Sequence, residues 1–443
     1  MQYISEILAV LNSQLSCSNI ANFGYIVQSI LSLSCPVTSL SVSRMSPLSY
    51  RTVHRFYSLG NVNWLLIRLL LFKHFLYDPN AVYILVADET VEQKAGKHTF
   101  GLARFYSSLS KSVIPSVSFL GLSLVNVLSG KSSFLGLHQL VKPVCQQEDT
   151  GSKCKAKFKS KKGKGRPKGS KNKVKQENKT LSYQSLKTLL SVSLSGLGSL
   201  IGDLPLFHLV LDGQYGSQDY LALALQNKLH IISKLNYNAS LRLPYCGEQK
   251  KRGRKRLLGK KVDLENIPVK YFQYKEEQND KQTLSVYQFR AYANNIKGIL
   301  INVVVLIKFN HKTKKTSRVI LFSSDLNLTA QQIIKYYELR FQIEFDFRDA
   351  KQYFGLSDFK NYKQTQLNNA VNIAFTMTLI AKILLEKYKK LLRAENMGIL
   401  DLKACIRTQR LFSQLFNKAQ KQENDFFNSQ EVLNIVKLQA IHI

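Results

Sequence analysis

Two short apolar runs, each followed directly by an aspartate, stand out in the middle of the chain. Residues 81–87 are continuously apolar, residues 206–211 are apolar apart from one histidine, and the runs end at Asp88 and Asp212. Such runs are typical of strands that are buried on both faces of a sheet. From about residue 236 to 325, apolar and polar positions alternate instead, which predicts a mostly β segment.

Helical spacing of apolar residues dominates both ends of the chain. Residues 1–80 lack strand alternation and carry apolar side chains three and four positions apart, and residues 366–443 also look helical. The amphipathic stretch at 329–354 begins at Thr329, a favourable N-cap, and predicts one continuous helix. Shorter patterns predict helices at 181–200 and 218–227 and strands at 113–127 and 230–235. The mixture predicts an α/β fold.

Composition narrows the possible classes of protein. The chain has 443 residues, of which 45% are hydrophobic, so a wholly disordered protein is excluded. We find no uncharged apolar stretch of about 18 residues, and so expect no membrane span. The first residues lack the basic region of a secretory signal and the six cysteines are scattered, which favours a cytoplasmic protein with reduced thiols.

The charge is strongly positive and unevenly placed. Lys and Arg number 63 against 29 Asp and Glu, a formal charge of +34, which favours nucleic acid as the partner and an anionic membrane surface as the second choice. Residues 151–180 carry +12 and residues 250–261 carry +8. The second block contains the candidate DNA contacts Arg252, Arg254, Lys255 and Arg256.

The first basic block has almost no apolar residues, so we expect a flexible arm at about 145–182. Within it, Arg166 and Lys168 flank a proline and follow a glycine, a pattern similar to hooks that enter the narrow minor groove of A·T-rich DNA. Three interpretations stay open: sequence-tolerant DNA contact, a true A·T-reading hook, and an inert linker.

The two strand-end aspartates indicate chemistry. Open α/β sheets place their working groups in the crevice at the carboxyl ends of strands, where Asp88 and Asp212 are expected. Two carboxylates held close together repel each other, so the pair is stable only with a cation or a shared proton between them. A single aspartate after a strand would be an ordinary feature.

A third acidic residue follows from helical geometry. At 100° per residue, Tyr337, Arg340, Glu344 and Lys351 fall within a stripe of about 60° on the 329–354 helix. The neighbouring acids at 338 and 346 point elsewhere, so Glu344 is the acid that shares this face. The alternative is a solvated face in which Arg340 and Glu344 form an ordinary i,i+4 pair.

The spacing Tyr337-x2-Arg340-x3-Glu344-x6-Lys351 resembles the Tyr-Arg-Glu-Lys signature of a group of bacterial insertion-sequence transposases. These enzymes belong to the Asp-Asp-Glu superfamily and have a ribonuclease-H-like core. The strands that lead into the two aspartates, and the β-rich segment before the glutamate, are similar too. The resemblance covers roughly residues 80–365.

The resemblance implies a fold and a reaction. The fold would be a ribonuclease-H-like mixed sheet flanked by helices, with a mostly β insertion before the Glu-bearing helix and helical terminal regions. Asp88, Asp212 and Glu344 would bind two Mg²⁺ ions, with Mn²⁺ as a possible substitute, for cleavage at transposon ends and strand transfer into target DNA. Arg340 and Lys351 would neutralise the phosphates that flank the cleaved bond. Tyr337 would position the same DNA strand and would not be a nucleophile.

The same resemblance implies partners and an organisation in domains. Partners would be double-stranded DNA, as terminal inverted repeats and as target, and a second copy of the chain in a homodimer. The alternatives are a catalytically inactive DNA-binding descendant and a nuclease that cleaves without strand transfer. We expect a helical N-terminal DNA-binding domain, a first part of the catalytic core, a β-rich insertion, a second core part with the Glu helix and a helical C-terminal region, at residues 1–80, 81–235, 236–325, 326–365 and 366–443.

Overall fold

The structure is a computed structural model that describes residues 2–143, 179–249, 251–278, 282–418 and 430. Two of the predicted DNA contacts, Arg166 and Lys168, lie outside the described residues, as does nearly all of the predicted basic arm.

Strands fill the middle of the chain and helices the two ends. The strands are β1 Tyr83–Gln93, β2 Ala103–Ser107, β3 Ser112–Asn126, β4 Ser132–Leu140, β5 Leu206–Leu211, β6 His230–Leu235, β7 Leu241–Pro244, β8 Leu258–Lys261, β9 Phe272–Gln278, β10 Gln282–Ala293, β11 Ile296–Asn310 and β12 Thr316–Ser323. The helices are α1 Gln2–Ala9, α2 Cys17–Ser32, α3 Ser39–Met45, α4 Tyr50–Tyr57, α5 Trp64–Phe75, α6 Leu181–Ile201, α7 Gln218–Gln226, α8 Ala330–Leu339, α9 Gln342–Tyr353, α10 Gln364–Leu392 and α11 Ile399–Lys418. Short 3₁₀ turns lie at Gly213–Tyr215 and Val269–Tyr271.

One mixed sheet organises the chain. Its main path is β2-β3-β1-β5-β6-β12-β11-β10-β7-β8, with β4 paired to β3 and β9 to β10. The part β4-β3-β1-β5-β6 has two antiparallel pairs followed by two strands parallel to β1, with α6 preceding β5 and α7 joining β5 to β6. This arrangement is consistent with the expected ribonuclease-H-like fold. The predicted β segment at 236–325 is confirmed as strands, and it extends the same sheet.

The two faces of the sheet bury two separate clusters, and this alternation orients the aspartates. In β1, Ile84 and Val86 face the cluster that contains α9 and α10, whereas Leu85 and Ala87 face the cluster that contains α6 and α7. Successive side chains of a strand point to opposite faces, so Asp88 continues the side of Ile84 and Val86. By the same alternation, Asp212 continues the side of Val210 in β5. Both carboxylates are therefore directed to the face that α9 covers.

The expectation that the first strand ends at Asp88 was wrong. The strand β1 continues for five more residues because β3 keeps pairing with it as far as the register Gln93–Ser116. Its parallel partner β5 stops at the register Ala87–Leu211. Asp88 is therefore placed where one neighbouring strand ends, rather than where its own strand ends.

The prediction of one continuous helix over 329–354 was also wrong. Thr329 is the N-cap, as expected, and forms a capping box with Gln332. The backbone N–H groups of Arg340 and Phe341 bond to carbonyl groups three residues earlier, which forms a tight turn between α8 and α9. The tight turn changes the angles of one uniform helix, but Arg340 still pairs with Glu344 four residues later at 2.8 Å, so these two members of the predicted stripe share a face across the turn.

The N-terminal helices share a core with the C-terminal helices. Buried residues of α1–α5, α9, α10 and α11 belong to one continuous apolar cluster. The indole N–H of Trp64 donates to the Asn369 side chain of α10 at 2.8 Å, and the Asn369 amide donates to the backbone carbonyls of Tyr57 and Leu59. Among the described helices, α10 alone is long and apolar enough to cross a membrane, but 89% of its most apolar window is buried inside the protein. The helix is the central packing element of the helical region.

Candidate active site

The two aspartates lie side by side on neighbouring parallel strands. The register pairs Ala87 of β1 with Leu211 of β5, so Asp88 and Asp212 are the next residues of each chain segment. The backbone carbonyl of Asp212 accepts a hydrogen bond from the Ser233 hydroxyl at 2.9 Å, which fixes the turn after β5. The backbone N–H of Glu89 donates to the Asp88 carboxylate at 2.8 Å. Pairing and hydrogen bonds therefore hold both aspartates at one edge of the parallel strands.

A single guanidinium group joins Asp88 to the third acidic residue. Arg340 Nη1 donates to Asp88 Oδ2 at 2.8 Å, and Arg340 Nη2 donates to Glu344 Oε1 at 2.8 Å. The two carboxylates thus lie within one guanidinium and two hydrogen bonds of each other, a span of less than about 8 Å. The tight turn between α8 and α9 is what points Arg340 across to β1 while Glu344 stays on the first turn of α9.

Tyr337 attaches the second aspartate to the same group. Its hydroxyl donates to Asp212 Oδ1 at 3.2 Å, and the Arg340 guanidinium lies 5.9 Å from the centroid of its ring. Burial and the negative charge of Asp212 raise the pKa of Tyr337 to about 12. The hydroxyl therefore stays protonated at neutral pH and acts as a hydrogen-bond donor.

The electrostatics of Asp88 reflect mainly its burial, together with the negative charge of its neighbours. Burial raises its pKa from 3.8 to about 6, and the charges of Asp212 and Glu344 act in the same direction. The guanidinium of Arg340 and the backbone N–H of Glu89 act in the opposite direction but do not cancel the burial. Three carboxylates and one guanidinium leave a net charge of −2 when all are ionised.

The raised pKa of Asp88 predicts how stability depends on pH. Because the folded protein favours the protonated carboxyl, the contribution of this group to stability is fully present below about pH 4 and is lost as pH rises through 6. In EDTA at pH 7.5, Asp88→Asn should therefore raise the free energy of unfolding by about 1–3 kcal/mol, with little difference at pH 4. Urea unfolding at both pH values measures this. The matched control is Asp203→Asn at an exposed position, which should change the free energy of unfolding little at either pH. An Asp88→Asn protein that is less stable than wild type at pH 7.5 would contradict the prediction.

Lys351 has different partners from Arg340, Tyr337 and Glu344. Its amino group pairs with Glu92 at 2.7 Å and donates to the backbone carbonyl of Val91 at 3.1 Å, so it does not reach Asp88 or Glu344. Glu344 and Lys351 are seven residues apart on the uninterrupted α9 and therefore share its face, as predicted, but Lys351 pairs with β1 instead of with the acidic residues of the site. Glu92 lies on the same face of β1 as Asp88, four residues further along.

Two acidic residues of β1 were missed by the sequence analysis. Glu89 points to the opposite face from Asp88, where its carboxylate accepts hydrogen bonds from the hydroxyls of Ser182 at 2.5 Å and Tyr215 at 2.8 Å. Tyr215 lies three residues after Asp212, so this contact ties β1 to the turn that follows β5. If β1 had been predicted to continue beyond Asp88, the alternation of side chains along it would have placed Glu92 on the face of Asp88 and Glu89 on the opposite face.

Asp346 lies on a different side of α9 from Glu344, so Glu344 is the acidic residue that faces β1. Its carboxylate is fully buried on another side of α9 and accepts hydrogen bonds from Ser123 at 2.8 Å, Ser132 at 3.0 Å and Lys382 at 2.5 Å. These four side chains join α9 to β3, β4 and α10. Asp346 therefore anchors the helix that carries Glu344.

The site offers carboxylate oxygens, which are ligands of hard divalent cations, but these oxygens are not arranged as a metal site. Carboxylate oxygens are the ligands that Mg²⁺ prefers, and a divalent cation would reduce the excess of negative charge among the three carboxylates. No group of three or more His, Cys, Asp or Glu side chains in the described ranges is arranged to hold a metal ion. The reason is visible in the contacts, because Arg340 engages Asp88 and Glu344 while Tyr337 engages Asp212. Binding of a cation by these carboxylates would require both side chains to release them.

The remaining predicted DNA contacts lie far along the sheet from this site. Arg252, Arg254, Lys255 and Arg256 are all exposed, in the loop that joins β7 to β8. In the order of the sheet, five strands separate β7 from β1.

Comparison with known families agrees with this geometry. A sequence profile for the family described as DDE superfamily endonuclease matches residues 35–294, well over half of the chain and both aspartates. The chain belongs to the DDE superfamily endonucleases. A second profile, described as "Archaeal putative transposase ISC1217", matches residues 284–393 of this DDE superfamily member, a range that contains Arg340 and Glu344. No curated protein matches the chain significantly.

Membership of the family has direct consequences. A DDE superfamily endonuclease is a transposase-like nuclease that acts on DNA, and members of the superfamily generally use divalent metal ions. The two profiles overlap at residues 284–294 and together extend over 35–393. They therefore include every element that contributes a side chain to the candidate site.

Proposed function

We propose that this chain is the transposase of an insertion sequence, of the Tyr-Arg-Glu-Lys group, and that it performs cut-and-paste transposition. It would cleave DNA at the ends of its element and transfer the freed strands into target DNA. The observation that carries the proposal is that Asp88, Asp212 and Glu344, from three separate elements, converge on Arg340 and Tyr337. The family matches support a transposase-like nuclease, and the spacing of the four signature residues supports this particular group.

The three carboxylates would hold the metal ions. Asp88, Asp212 and Glu344 offer oxygen ligands and an excess of negative charge, which suits two Mg²⁺ ions or Mn²⁺. When bound, such ions supply a more acidic attacking water or hydroxyl group and neutralise charge on the leaving oxygen. Burial, with smaller contributions from the charges of Asp212 and Glu344, raises the pKa of Asp88 to about 6, so its ionised form is held at a cost that a bound cation would reduce.

Arg340 and Tyr337 would change partners when DNA and cations enter. The guanidinium of Arg340 is buried, and within the described residues its Nε atom has no hydrogen-bond partner, while both Nη atoms donate to carboxylates. We propose that it turns from Asp88 to a phosphate next to the cleaved bond, where a guanidinium forms charge-assisted bonds. The neutral hydroxyl of Tyr337 would orient the same strand. Lys351, which already pairs with Glu92, would act by fixing α9 against β1 rather than by contacting phosphate directly.

The proposed partners follow from the reaction and the charge. The exposed cations between β7 and β8, and the basic arm at 145–182 with Arg166 and Lys168, would contact the duplex through its phosphates. Two element ends must be brought together for transposition, so we propose a homodimer, acting in the cytoplasm on chromosomal DNA. The N-terminal region 1–80 is proposed to contact DNA as well, although its helices share a core with α10.

The proposal is tested by two reactions with the purified full chain. DNA that carries the sequences flanking the reading frame should be cleaved at the element ends in Mg²⁺, and precut ends should be joined to a target plasmid. Cleavage without joining would identify a related nuclease, and binding without cleavage would identify an inactive DNA-binding descendant. Either result would contradict the transposase proposal.

A further inference from the structure

A groove of about 770 Å³ opens at the end of the sheet that lies away from β1. One wall is formed by Arg242 of β7 and by residues 254–258 of the loop and strand that follow. The rest of the lining comes from the ends of β10 and β11 and the turn between them, with Tyr292, which pairs with Arg242 in the sheet, Asn294 and Lys297. The groove is therefore built by two separate hairpin connections of the β segment.

Positive charge is concentrated in this groove without compensation. Five cationic side chains line it, and all are exposed: Arg242, Arg254, Lys255, Arg256 and Lys297. The lining contains no Asp or Glu, and within the described part of the chain none of the five forms an ion pair with a carboxylate. Like charges crowded in a concave surface repel one another and raise the local concentration of a polyanion.

The backbone around the groove leaves room for a large ligand. Gly253 and Gly298 both have positive φ, 96° and 77°, and nothing lies within 4 Å of the position where a Cβ would be. The guanidinium of Arg256 is held in place, because it lies 4.5 Å from the ring centroid of Tyr245 and its Nε donates to the carbonyl of Leu258 at 3.2 Å. An arginine held in this way loses little conformational entropy when it binds a phosphate.

Hydrogen bonds connect the groove to the turn that follows Asp212. The side-chain amide of Asn295 donates to the carbonyl of Gly216 at 2.7 Å, and the backbone N–H of Lys297 donates to the Gln218 side chain at 3.4 Å. Gly216 is the fourth residue after Asp212, so this chain path places Lys297 within roughly 30 Å of Asp212. That distance corresponds to at most about nine base pairs of B-DNA.

We infer that this groove binds the phosphodiester backbone of duplex DNA within about nine base pairs of the cleaved bond, using Arg242 of β7 and Lys297 of β11. The inference rests on the proposed function for the identity of the cleaved duplex. It adds to the basic loop a second wall from the β10–β11 turn, and Asn295 serves as a positioning residue that fixes this wall to the Asp212 turn.

The test is the salt dependence of binding of the full chain to a duplex of about 30 base pairs and arbitrary sequence, in EDTA. Arg242→Ala combined with Lys297→Ala should reduce the slope of log K against log salt by about 1.8, since each lost phosphate contact removes about 0.9. At 0.1 M salt the affinity should fall roughly 10- to 60-fold. The charge-retaining pair Arg242→Lys and Lys297→Arg should keep the wild-type slope.

The matched control removes two exposed lysines from the other end of the sheet. Lys111→Asn combined with Lys187→Ala, in the turn between β2 and β3 and on α6, lowers the charge equally and should leave the slope unchanged, since neither lysine lies in a segment proposed to contact DNA. An unchanged slope in the groove variant, or an equal loss in the control, would overturn the inference even if the protein cleaves DNA. A greater loss on duplex RNA than on DNA would overturn the choice of ligand. The protein could fail to cleave DNA while the groove variant still shows a reduced slope. That result would support DNA binding in the groove and would count only against the proposed function.

Discussion

Glu344→Gln should abolish cleavage of the element ends and leave DNA binding intact. Loss of a carboxylate that holds a catalytic cation removes several kcal/mol of transition-state stabilisation, which corresponds to about a 10³-fold slower reaction or more. Glutamine keeps the size of the side chain and an oxygen that accepts the hydrogen bond from Arg340 Nη2, now at 2.8 Å. The first turn of α9 should therefore keep its conformation. Single-turnover cleavage in Mg²⁺ and equilibrium binding in EDTA measure the two effects separately.

Glu338→Gln is the matched control for this substitution. It makes the same chemical change on α8, six residues away, and Glu338 contacts none of the three acidic residues through a hydrogen bond in the described structure. Its cleavage rate should stay within a few-fold of wild type. Cleavage by Glu344→Gln at a similar rate would show that Glu344 is not a metal ligand, whatever the family of the chain.

The parts of the site that are fixed by strand patterns could be predicted from the sequence. Continuous apolar runs identified β1 and β5, and the period of two then determined which face of the sheet receives Asp88 and Asp212. The fold class followed from the same strands, because two parallel strands joined through helices restrict the topology. These predictions depend on local hydrophobic patterns, which a single sequence displays directly.

The contacts of Arg340 and Lys351 could not be predicted in the same way. Helical periodicity over 329–354 is compatible with a continuous helix, and the neighbouring sequence contains no signal that predicts the tight turn at 340–341. Whether Arg340 turns to Asp88, and whether Lys351 turns to Glu92, depends on how α9 packs on β1. Such partners are separated by some 250 residues of sequence, so only the tertiary structure reveals them.

The packing of the helices at the two ends of the chain is a further feature that the sequence alone did not predict. The apolar spacing of residues 1–80 indicated helices but not their partner. In the structure, Trp64 and Asn369 connect α5 to α10 across the core, and Gln366 donates to the Ser58 hydroxyl at 2.9 Å. Buried polar contacts of this kind fix how the N-terminal helices sit on α10. The boundaries at 80 and 366 stay predictions, since one apolar cluster crosses both.

Replacing residues 151–178 by a glycine-serine segment of equal length should weaken binding to every DNA sequence. The segment holds twelve basic side chains and one acidic one. If half of the cations contact phosphates, the slope of log K against log salt should fall by about 5, and the affinity at 0.1 M salt by roughly 10⁵-fold. The replacement stops before Thr180, whose hydroxyl accepts from the backbone N–H of Tyr183 and caps α6. The unfolding midpoint in urea should therefore stay unchanged.

A second variant of the same segment separates the three interpretations of the arm. Arg166→Ala with Lys168→Ala removes the hook and leaves ten basic side chains. An A·T-reading hook predicts that this variant loses its preference for A·T-rich over G·C-rich duplexes, because the narrow A·T minor groove attracts inserted arginine. Sequence-tolerant contact predicts that the slope falls by at most about 1.8, with no change in preference. An inert linker predicts that neither this variant nor the full replacement alters the slope, and that result would remove the arm from the DNA-binding surface.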